Sequence, residues 1–364
     1  MLLDRYVGWA VGRSFLLITT GLTALFSLLG FVEQLGLVGQ GQYRLQDALI
    51  YTLLTAPDQM LQLAPVSMLL AALMGLGTLA KNAELTAFRS FGVSQARIIG
   101  AVMKLCVPVI VALFFVAQFV IPPAQQAAQR ERAAALGDAL PGLSNGGFWA
   151  QKGGVFLNVQ SFAGGAELHG VSIFAFGPDG RLRSFIAADE AVPQPDGDWA
   201  LSGITRQTIT NGQTVTDQPD GLDWKPFLST KQLRLLAMPP QTMPPLALYS
   251  YVRQLKRQHQ EALVYEQSFW EMVAIPLSLI GMAMIAAPFV FGPQRAGGAG
   301  RQIVIGALLG MVFLLVQQIT FYLGLLLAVN PAFSALAPSI LLIVLGGWLL
   351  ERQHIKLKPR AAKV

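Results

Sequence analysis

Long apolar segments without any ionisable residue dominate the pattern of this chain. Six of them lack Asp, Glu, Lys, Arg and His, and they cover residues 14–32, 59–80, 105–121, 272–291, 302–329 and 330–350. About 20 apolar residues in helical form cross a bilayer core of about 30 Å. The pattern therefore predicts six transmembrane helices. The last two are separated at Asn330-Pro331, because proline disfavours helix in the residue before it.

Between the third and fourth apolar segments the pattern changes to short alternating segments separated by turns. Strands are predicted at 154–159, 170–176, 182–187, 198–202, 204–210 and 213–217. Asn211-Gly212 lies between the last two and suits a two-residue hairpin turn. This pattern predicts an inserted all-β domain, either a small β-sandwich or a jelly roll. Its core is expected to hold Trp149, Trp199 and Trp224.

A basic amphipathic helix is predicted between this domain and the fourth span. Leu248, Tyr251, Val252 and Leu255 form an apolar stripe on it. Two interpretations stay open: the helix lies in the membrane interface, or it is a connector that packs under the β-domain. The predicted organisation is then 1–128 for the first three spans, 129–245 for the β-domain, 246–264 for the connector helix, 265–351 for the last three spans and 352–364 for a basic tail.

The charges of the loops predict the orientation of the spans. The chain has 26 Lys+Arg and 20 Asp+Glu, with only 13% charged residues and a mean hydropathy of +0.51, which excludes an ordinary soluble protein. Basic residues mark cytoplasmic loops, and with the N-terminus inside they fall at Arg5, Arg13, Lys81, Arg89, Arg97, Arg295, Arg301, Arg352, Lys356, Lys358, Arg360 and Lys363. The short outside loops hold only Arg44. Both termini are therefore predicted to be cytoplasmic and the β-domain periplasmic, in a bacterial inner membrane. Because topology explains much of the positive charge, a nucleic-acid partner is not expected.

Several kinds of chemistry are missing from the sequence. It has no phosphate-binding loop of the G-x-x-x-x-G-K-[ST] type, so any ATPase is expected on a separate subunit. No ionisable residue lies at the centre of a span, and Glu33 and Glu271 lie at span edges. No pattern of a catalytic or metal site occurs within the spans. We therefore expect a transport subunit without catalysis or a metal of its own. An ion-coupled lipid flippase that uses Glu33 or Glu271 and a membrane-anchored periplasmic scaffold are the alternatives.

Small and polar residues within the spans predict helix packing. Gly306 and Gly310 form a G-x-x-x-G motif, which serves either packing within the chain or a partner interface. Gln317 and Gln318 are polar positions in the same span, expected to form interhelical hydrogen bonds rather than to bind substrate.

The loop at 81–94 predicts a short helix between the second and third spans. Asn82 is expected to cap its start, Gly92 to adopt the left-handed conformation after its end, and Ser94 to cap the third span. Glu84, Phe88 and Phe91 are predicted to share one face, at i, i+4 and i+7. This face suits insertion into a groove of another protein. The alternative is that Glu84 favours the helix dipole while the phenylalanines enter the membrane interface.

At these residues the chain resembles the LptF/LptG family, the permease subunits of the bacterial lipopolysaccharide exporter. The loop is similar to the family's coupling helix, whose pattern is Glu-Leu followed by a Gly and a small polar residue. Similarity to the LptG branch rather than the LptF branch rests on Leu3-Asp4-Arg5-Tyr6, Phe31-Val32-Glu33-Gln34-Leu35, Gly39-Gln40-Gly41 and Gly147-Phe148-Trp149-Ala150. The resemblance covers essentially the whole chain.

The resemblance implies a fold, a function and partners. The fold is three spans, a periplasmic β-jelly roll and three more spans. The function is extraction of lipopolysaccharide from the outer leaflet toward a periplasmic bridge to the outer membrane. The partners are LptF in a heterodimer, two copies of the ATPase LptB, which holds ATP and Mg²⁺, and the single-span LptC beside the first helix.

The resemblance also implies roles for individual residues. Glu84 is expected in the LptB groove, and the ATPase-coupling set comprises Glu84, Leu85, Phe88, Arg89, Phe91 and Gly92. Arg132 matches a basic position that faces lipid phosphates in relatives, and Arg130 and Arg44 are expected to share this role. Relatives carry lysines where this chain has Gly36 and Leu37, so phosphate recognition is expected mainly at these arginines. Contact with the lipid cavity or with a partner helix is expected at Phe31, Glu33, Gln317 and Gln318.

Overall fold

A computed structural model describes residues 2–136, 148–163, 167–177, 180–194, 198–210, 213–226, 242–257, 262–291, 299–327 and 329–357. Its helices are α1 (Leu2–Leu35), α2 (Leu45–Lys81), α3 (Glu84–Ser90), α4 (Gln95–Phe115), α5 (Ile121–Leu136), α6 (Pro245–Arg257), α7 (Leu263–Phe291), α8 (Ala299–Leu326) and α9 (Pro331–Leu357). A π-turn at Val116–Val120 joins α4 to α5 without a break. The chain divides into a helical unit (residues 1–33, 52–124 and 244–364) and a second unit (residues 34–51 and 125–243) that contains the β-sheet.

Among the described residues, six helices are long and apolar enough to cross a membrane. They are α1, α2, the continuous helix from α4 to α5, α7, α8 and α9. This confirms the predicted number of spans and makes the chain a multi-pass membrane protein. Each of these helices extends past its apolar segment at one end or both, because a helix satisfies its own backbone hydrogen bonds wherever it ends relative to the lipid.

Helix α2 lies at the centre of the helical unit. Of its most apolar stretch 78% is buried, against 11% for α1 and 17% for α8. Gly75 lets α1 approach closely, since a Cβ there would lie 2.9 Å from the Cα of Val11. Ser27 of α1 donates to Oε1 of Gln59 at 2.8 Å. Small and polar residues thus fix α1 on α2, while most of the apolar surface of α1 and α8 faces away from this chain.

Two buried polar contacts join α7 to α9. The hydroxyl oxygens of Ser278 and Ser339 lie 2.7 Å apart, and both lie within hydrogen-bond distance of the backbone carbonyl of Ala274, at 2.9 and 3.3 Å. Ser334 donates to Oε1 of Gln267 at 2.7 Å. Such hydrogen bonds specify which faces of membrane helices meet, because lipid offers polar groups no alternative partner.

The π-turn at Val116–Val120 interrupts the regular helix just before Pro122 and Pro123. Wider helical turns commonly accompany proline, which lacks the N–H that a regular turn needs. Gln118 lies in this turn, and its Oε1 accepts a hydrogen bond from the backbone N–H of Leu246 at 3.3 Å. Gln118 thereby caps the first turn of α6.

Helix α6 buries the apolar stripe that its sequence predicts. Leu248, Tyr251, Val252 and Leu255 are all buried. The helix packs on α7 and on the π-turn, so its apolar face contacts protein. The stripe therefore packs within the helical unit, whereas the two interpretations had placed it on lipid or under the β-domain.

The second unit contains one antiparallel sheet. Its strands are β1 (Phe148–Lys152), β2 (Val155–Ala163), β3 (Glu167–Phe176), β4 (Leu182–Pro193), β5 (Trp199–Thr210), β6 (Gln213–Asp217) and β7 (Leu222–Trp224). Strands β1 to β6 pair in chain order, and β7 pairs with β5 beside β6. The predicted inserted all-β domain is confirmed. The described strands form a meander rather than the crossed connections of a Greek key.

Alternate residues of these strands build the core of the sheet. Leu157, Val171, Ile173, Ala188 and Leu201 belong to one buried cluster, as expected from the two-residue period. Trp199 is 1% exposed, and its ring meets that of Trp224 edge-on at 5.4 Å between centroids. Both indoles therefore serve the core. The side chain of Trp149 lies outside the described part of the structure.

The predicted hairpin is present in the sheet. Thr210 pairs with Gln213, which is the register of a two-residue loop, and Asn211-Gly212 itself lies outside the described residues. The two strands predicted at 198–202 and 204–210 are one strand. It passes through Gly203, whose φ of +66° suits glycine and where a Cβ would overlap the Asp189 carboxylate.

Candidate functional site

Helix α3 is the short helix predicted between the second and third spans, and its ends differ in part from expectation. Gly92 adopts a φ of +84°, and the Ser94 hydroxyl accepts from the N–H of Arg97 at 3.3 Å, so two expected caps are confirmed. The start is different. Ala83 is the N-cap, with a φ of +58° and no side-chain hydrogen bond to the helix. Asn82 lies one residue before the N-cap, and its Nδ2 donates to Oε1 of Glu84.

Both carboxylate oxygens of Glu84 have hydrogen-bond donors within the chain. The hydroxyl of Tyr6 in α1 donates to Oε2 at 2.7 Å, and Nδ2 of Asn82 donates to Oε1 at 3.2 Å. The Tyr6 ring also meets the ring of Phe88 edge-on, at 6.4 Å between centroids. Local patterns do not reveal this contact, because Tyr6 is 78 residues away from Glu84 in sequence.

The rest of the coupling set divides into an inner and an outer side. Leu85 is buried in the core of the helical unit, and Phe88 packs partly against the same core. Arg89 and Gly92 are exposed, and Phe91 is 86% exposed. Of the three residues expected to share one face, Glu84 and Phe88 are thus half-buried and Phe91 is exposed. Phe91 is the C-cap residue of α3, and its N–H donates to the carbonyl of Ala87 at 3.1 Å.

In the second unit, the chain that follows α1 contacts the end of α5. The N–H of Gln42 donates to the carbonyl of Ala135 at 2.7 Å. Gly41, with a φ of +56°, packs so closely that a Cβ would lie 2.8 Å from the carbonyl oxygen of Leu136. Tyr43 is 1% exposed, and burial raises the pKa of its hydroxyl. These contacts place the loop that carries Arg44 against the helix that carries Arg130 and Arg132.

The three candidate arginines have different surroundings. The Arg132 guanidinium lies over the ring of Tyr51, 5.3 Å from its centroid, which is a cation–π geometry. Its Nε is buried and has no hydrogen-bond partner among the described residues. Arg130 is exposed, as is Arg44, whose backbone N–H donates to Asp47 at 2.7 Å. Sequence reasoning missed Tyr51, although a tyrosine shortly before the second apolar segment was a visible signal.

The remaining candidates lie on the two least buried spans. On α1, Phe31 is half-buried and Glu33 is exposed; on α8, Gln317 is half-buried and Gln318 is exposed. Both helices direct most of their apolar surface away from the rest of the chain. These four positions are thus available to lipid or to another subunit.

The G-x-x-x-G motif packs within the chain. A Cβ at Gly306 would overlap Leu73 of α2, and one at Gly310 would overlap Val66. Of the two interpretations of the motif, close packing of α8 on α2 is therefore the one observed.

Within the described residues, no group of three or more His, Cys, Asp or Glu side chains is arranged to hold a metal ion. The features that do stand out are a bundle of apolar helices, an inserted β-domain and a short helix with an exposed phenylalanine. Together they define a multi-pass membrane protein with an inserted β-domain. Comparison with known proteins then identifies its family.

A family model described as lipopolysaccharide export system permease LptF/LptG matches residues 5–352. The chain is 33% identical over 353 residues to the LptG permease protein of Escherichia coli K12, covering 96% of this chain and 98% of that protein. It is 32% identical over 355 residues to LptG of Haemophilus influenzae, covering 97% and 99% of the two chains. The chain therefore belongs to the LptF/LptG family, and its similarities lie with the LptG branch.

Proposed function

We propose that this chain is a transmembrane permease subunit of an ATP-driven lipopolysaccharide exporter in a bacterial inner membrane. The single observation that carries the proposal is the match to lipopolysaccharide export permeases over almost the entire length of the chain. A full-length match includes the spans, α3 and the β-domain together, so it supports the whole architecture rather than one module. The chain itself does not hydrolyse ATP in this proposal.

In this proposal α3 is the element that binds a separate ATPase of the LptB type, with ATP and Mg²⁺ held on that partner. The exposed Phe91 and Arg89 offer an aromatic ring and a cation to a groove, while the buried Leu85 anchors α3 to the bundle. Exposed aromatic and arginine side chains are the residues that most often dominate binding energy at protein interfaces. Glu84 joins this contact through its carboxylate.

The lipid is proposed to meet cations on the second unit. Arg130 and Arg44 are exposed, and Arg132 is held over Tyr51. Arginine pairs well with phosphate because its planar guanidinium donates two parallel hydrogen bonds. These three residues are therefore assigned to the phosphates of lipopolysaccharide, and the β-domain to the periplasm, in agreement with the basic loops of the sequence.

The large apolar surfaces of α1 and α8 are assigned to other membrane helices and to the lipid. Monomeric proteins rarely leave such surfaces without a partner or a membrane. The proposed partners are a heterodimeric LptF subunit and the single helix of LptC beside α1. Phe31, Glu33, Gln317 and Gln318 are placed in these contacts or at the lipid cavity.

The test is reconstitution in proteoliposomes. The tagged chain is purified from its native membrane in mild detergent with whatever accompanies it, and release of labelled lipopolysaccharide to a soluble acceptor is followed with and without ATP. We expect an LptF subunit and a P-loop ATPase to co-purify, and release to require ATP. Release that persists without ATP but stops when an ion gradient collapses would reject the proposal.

Glu84→Ala tests the role of α3 in the same assay. It is expected to reduce recovery of the ATPase and ATP-dependent release, because it removes the only carboxylate of α3. Glu351→Ala is the matched control, since Glu351 is an exposed carboxylate near the end of α9. Equal behaviour of the two variants would contradict the assignment of α3.

A further inference from the structure

Tyr6 makes two contacts with α3 from a different helix. Its hydroxyl donates to Oε2 of Glu84 at 2.7 Å, within the usual range for an O–H donor and a carboxylate. Its ring edge meets the ring of Phe88, one helical turn further along. A single side chain of α1 thus contacts both a polar and an apolar residue of α3.

The segment of α1 that carries Tyr6 is itself fixed to α4. Asp4 pairs with Lys104 at 2.8 Å and lies 3.8 Å from Nε of Arg97. The Asp4 side chain is only 16% exposed, so these pairs are partly shielded from water. The first turns of α1 are therefore held by α4 on one side and by Glu84 and Phe88 of α3 on the other.

The contact of Tyr6 with α3 can affect the whole length of α1, because this helix is long and uninterrupted. The helix continues from Leu2 to Leu35 without an internal proline, a length of about 50 Å at 1.5 Å per residue. A displacement of its first turns therefore moves a rigid element that crosses the whole membrane. Most of the surface of α1 faces away from the rest of this chain. A movement of α1 is therefore felt by the lipid or the partner helix on that side.

We propose that Tyr6 is the positioning residue of Glu84 and the link that passes movement of α3 to α1. The proposal rests on the proposed function for the part that concerns transport. The Tyr6 hydroxyl fixes one oxygen of the Glu84 carboxylate, and the side chain of Asn82 fixes the other. The ring contact with Phe88 sets the distance between the two helices.

Tyr6→Phe separates the two contacts of this side chain. Phenylalanine keeps the ring against Phe88 but leaves Oε2 of Glu84 without its donor. Tyr249→Phe is the matched control, because Tyr249 is a half-exposed tyrosine of α6 whose ring contact with Phe269, 5.3 Å between centroids, does not need the hydroxyl. Both variants remove one oxygen atom and leave the ring in place.

The first measurement is amide hydrogen exchange of residues 84–91 in the purified chain, which does not depend on transport. In Tyr6→Phe we expect exchange there to be faster by about threefold to tenfold, the effect of losing one hydrogen bond to a charged group at a partly exposed site. Tyr249→Phe is expected to match wild type. In a Glu84→Ala chain, Tyr6→Phe should add no further acceleration, because its acceptor is already absent.

The second measurement is lipopolysaccharide released per ATP hydrolysed in the reconstituted complex. We expect Tyr6→Phe to lower this ratio about threefold or more while the ATPase still co-purifies, because α3 still binds but moves α1 less effectively. Unchanged exchange in residues 84–91, or equal acceleration with and without Glu84, would overturn the positioning role. Altered exchange with an unchanged ratio would overturn the link to α1. A wild-type complex without ATP-dependent release would instead refute the proposed function and leave the exchange result to decide the role of Tyr6.

Discussion

The close contact between α8 and α2 predicts that Gly306→Val is destabilising. A Cβ at Gly306 would overlap a methyl group of Leu73 and lie 3.1 Å from one of Leu70. Leu73 is 2% exposed and Leu70 is 8% exposed, so neither side chain has free space to move into. Valine adds two further methyl groups at the same place, and either α8 or the leucines must shift.

The expected size follows from two opposing effects. Overpacking a well-packed core costs about 1 to 3 kcal/mol, and valine at this position falls at the upper end of that range. Valine favours helix over glycine by about 0.4 kcal/mol, which offsets little of the cost. The free energy of unfolding of the purified chain should therefore fall by about 2.5 kcal/mol. Gly21→Val is the matched control, because Gly21 lies within α1 and a Cβ there would have no neighbour within 4 Å in the described part of the chain.

The assay is unfolding of the chain in mixed micelles with increasing SDS, followed by the loss of helical circular dichroism. A second substitution, Leu73→Ala, makes room for the valine, so Gly306→Val should cost much less in that background. Additive effects within about 0.5 kcal/mol would refute the reasoning. So would equal effects of Gly306→Val and Gly21→Val.

Two further predictions concern the polar contacts and the β-sheet core. Ser334→Ala leaves an oxygen of the fully buried Gln267 without its donor and should lower the free energy of unfolding by about 1 to 2 kcal/mol. Ser339→Ala should lower it by about 0.5 kcal/mol, because Ser278 keeps a backbone acceptor. Equal shifts of the two variants in the SDS assay would contradict this difference. Trp199→Ala should cost about 3 to 5 kcal/mol within the sheet, because this indole is almost fully buried. Limited proteolysis should then cleave the sheet while the helices, which have a separate core, stay protected. Early cleavage of α7 or α9 would contradict independent cores.

The six spans were predictable because each apolar segment excludes charge over at least 17 residues. The ends of the helices were not predictable, since a helix that has formed can continue through polar residues outside the apolar segment. The third span illustrates this difference. Its apolar segment ends at Ile121, before two prolines, yet the helix continues to Leu136 because the π-turn accommodates them.

The β-domain was predictable as a class but not in its strand connections. Alternation and turn residues place most strands and the hairpin at Thr210 and Gln213. Gly203 resembles a break between strands in the sequence, because glycine commonly ends a strand. In the structure it opposes Asp189 in one continuous strand, and only pairing with β4 could reveal this role.

The contacts of α3 were predictable from the sequence only where they are local. Gly92, which follows the end of α3, and Ser94, which caps the start of α4, act locally and were predictable from their types. The partner of Glu84 was not, because Tyr6 lies on another helix and no sequence period relates the two positions. Asn82 was assigned to the cap by residue type alone, whereas Ala83 is the N-cap and the Asn82 side chain donates to Glu84.

The π-turn at Val116–Val120 also changes how substitutions along the third span should be interpreted. One extra residue in a helical turn rotates everything after it by about 100° relative to an uninterrupted helix. Residues before Val116 and residues after Val120 therefore follow two separate angular phases. A scan of substitutions through α4 and α5 should show tolerance with one periodicity up to Phe115 and a shifted periodicity from Ile121, so that positions seven apart across the turn do not report on the same neighbour.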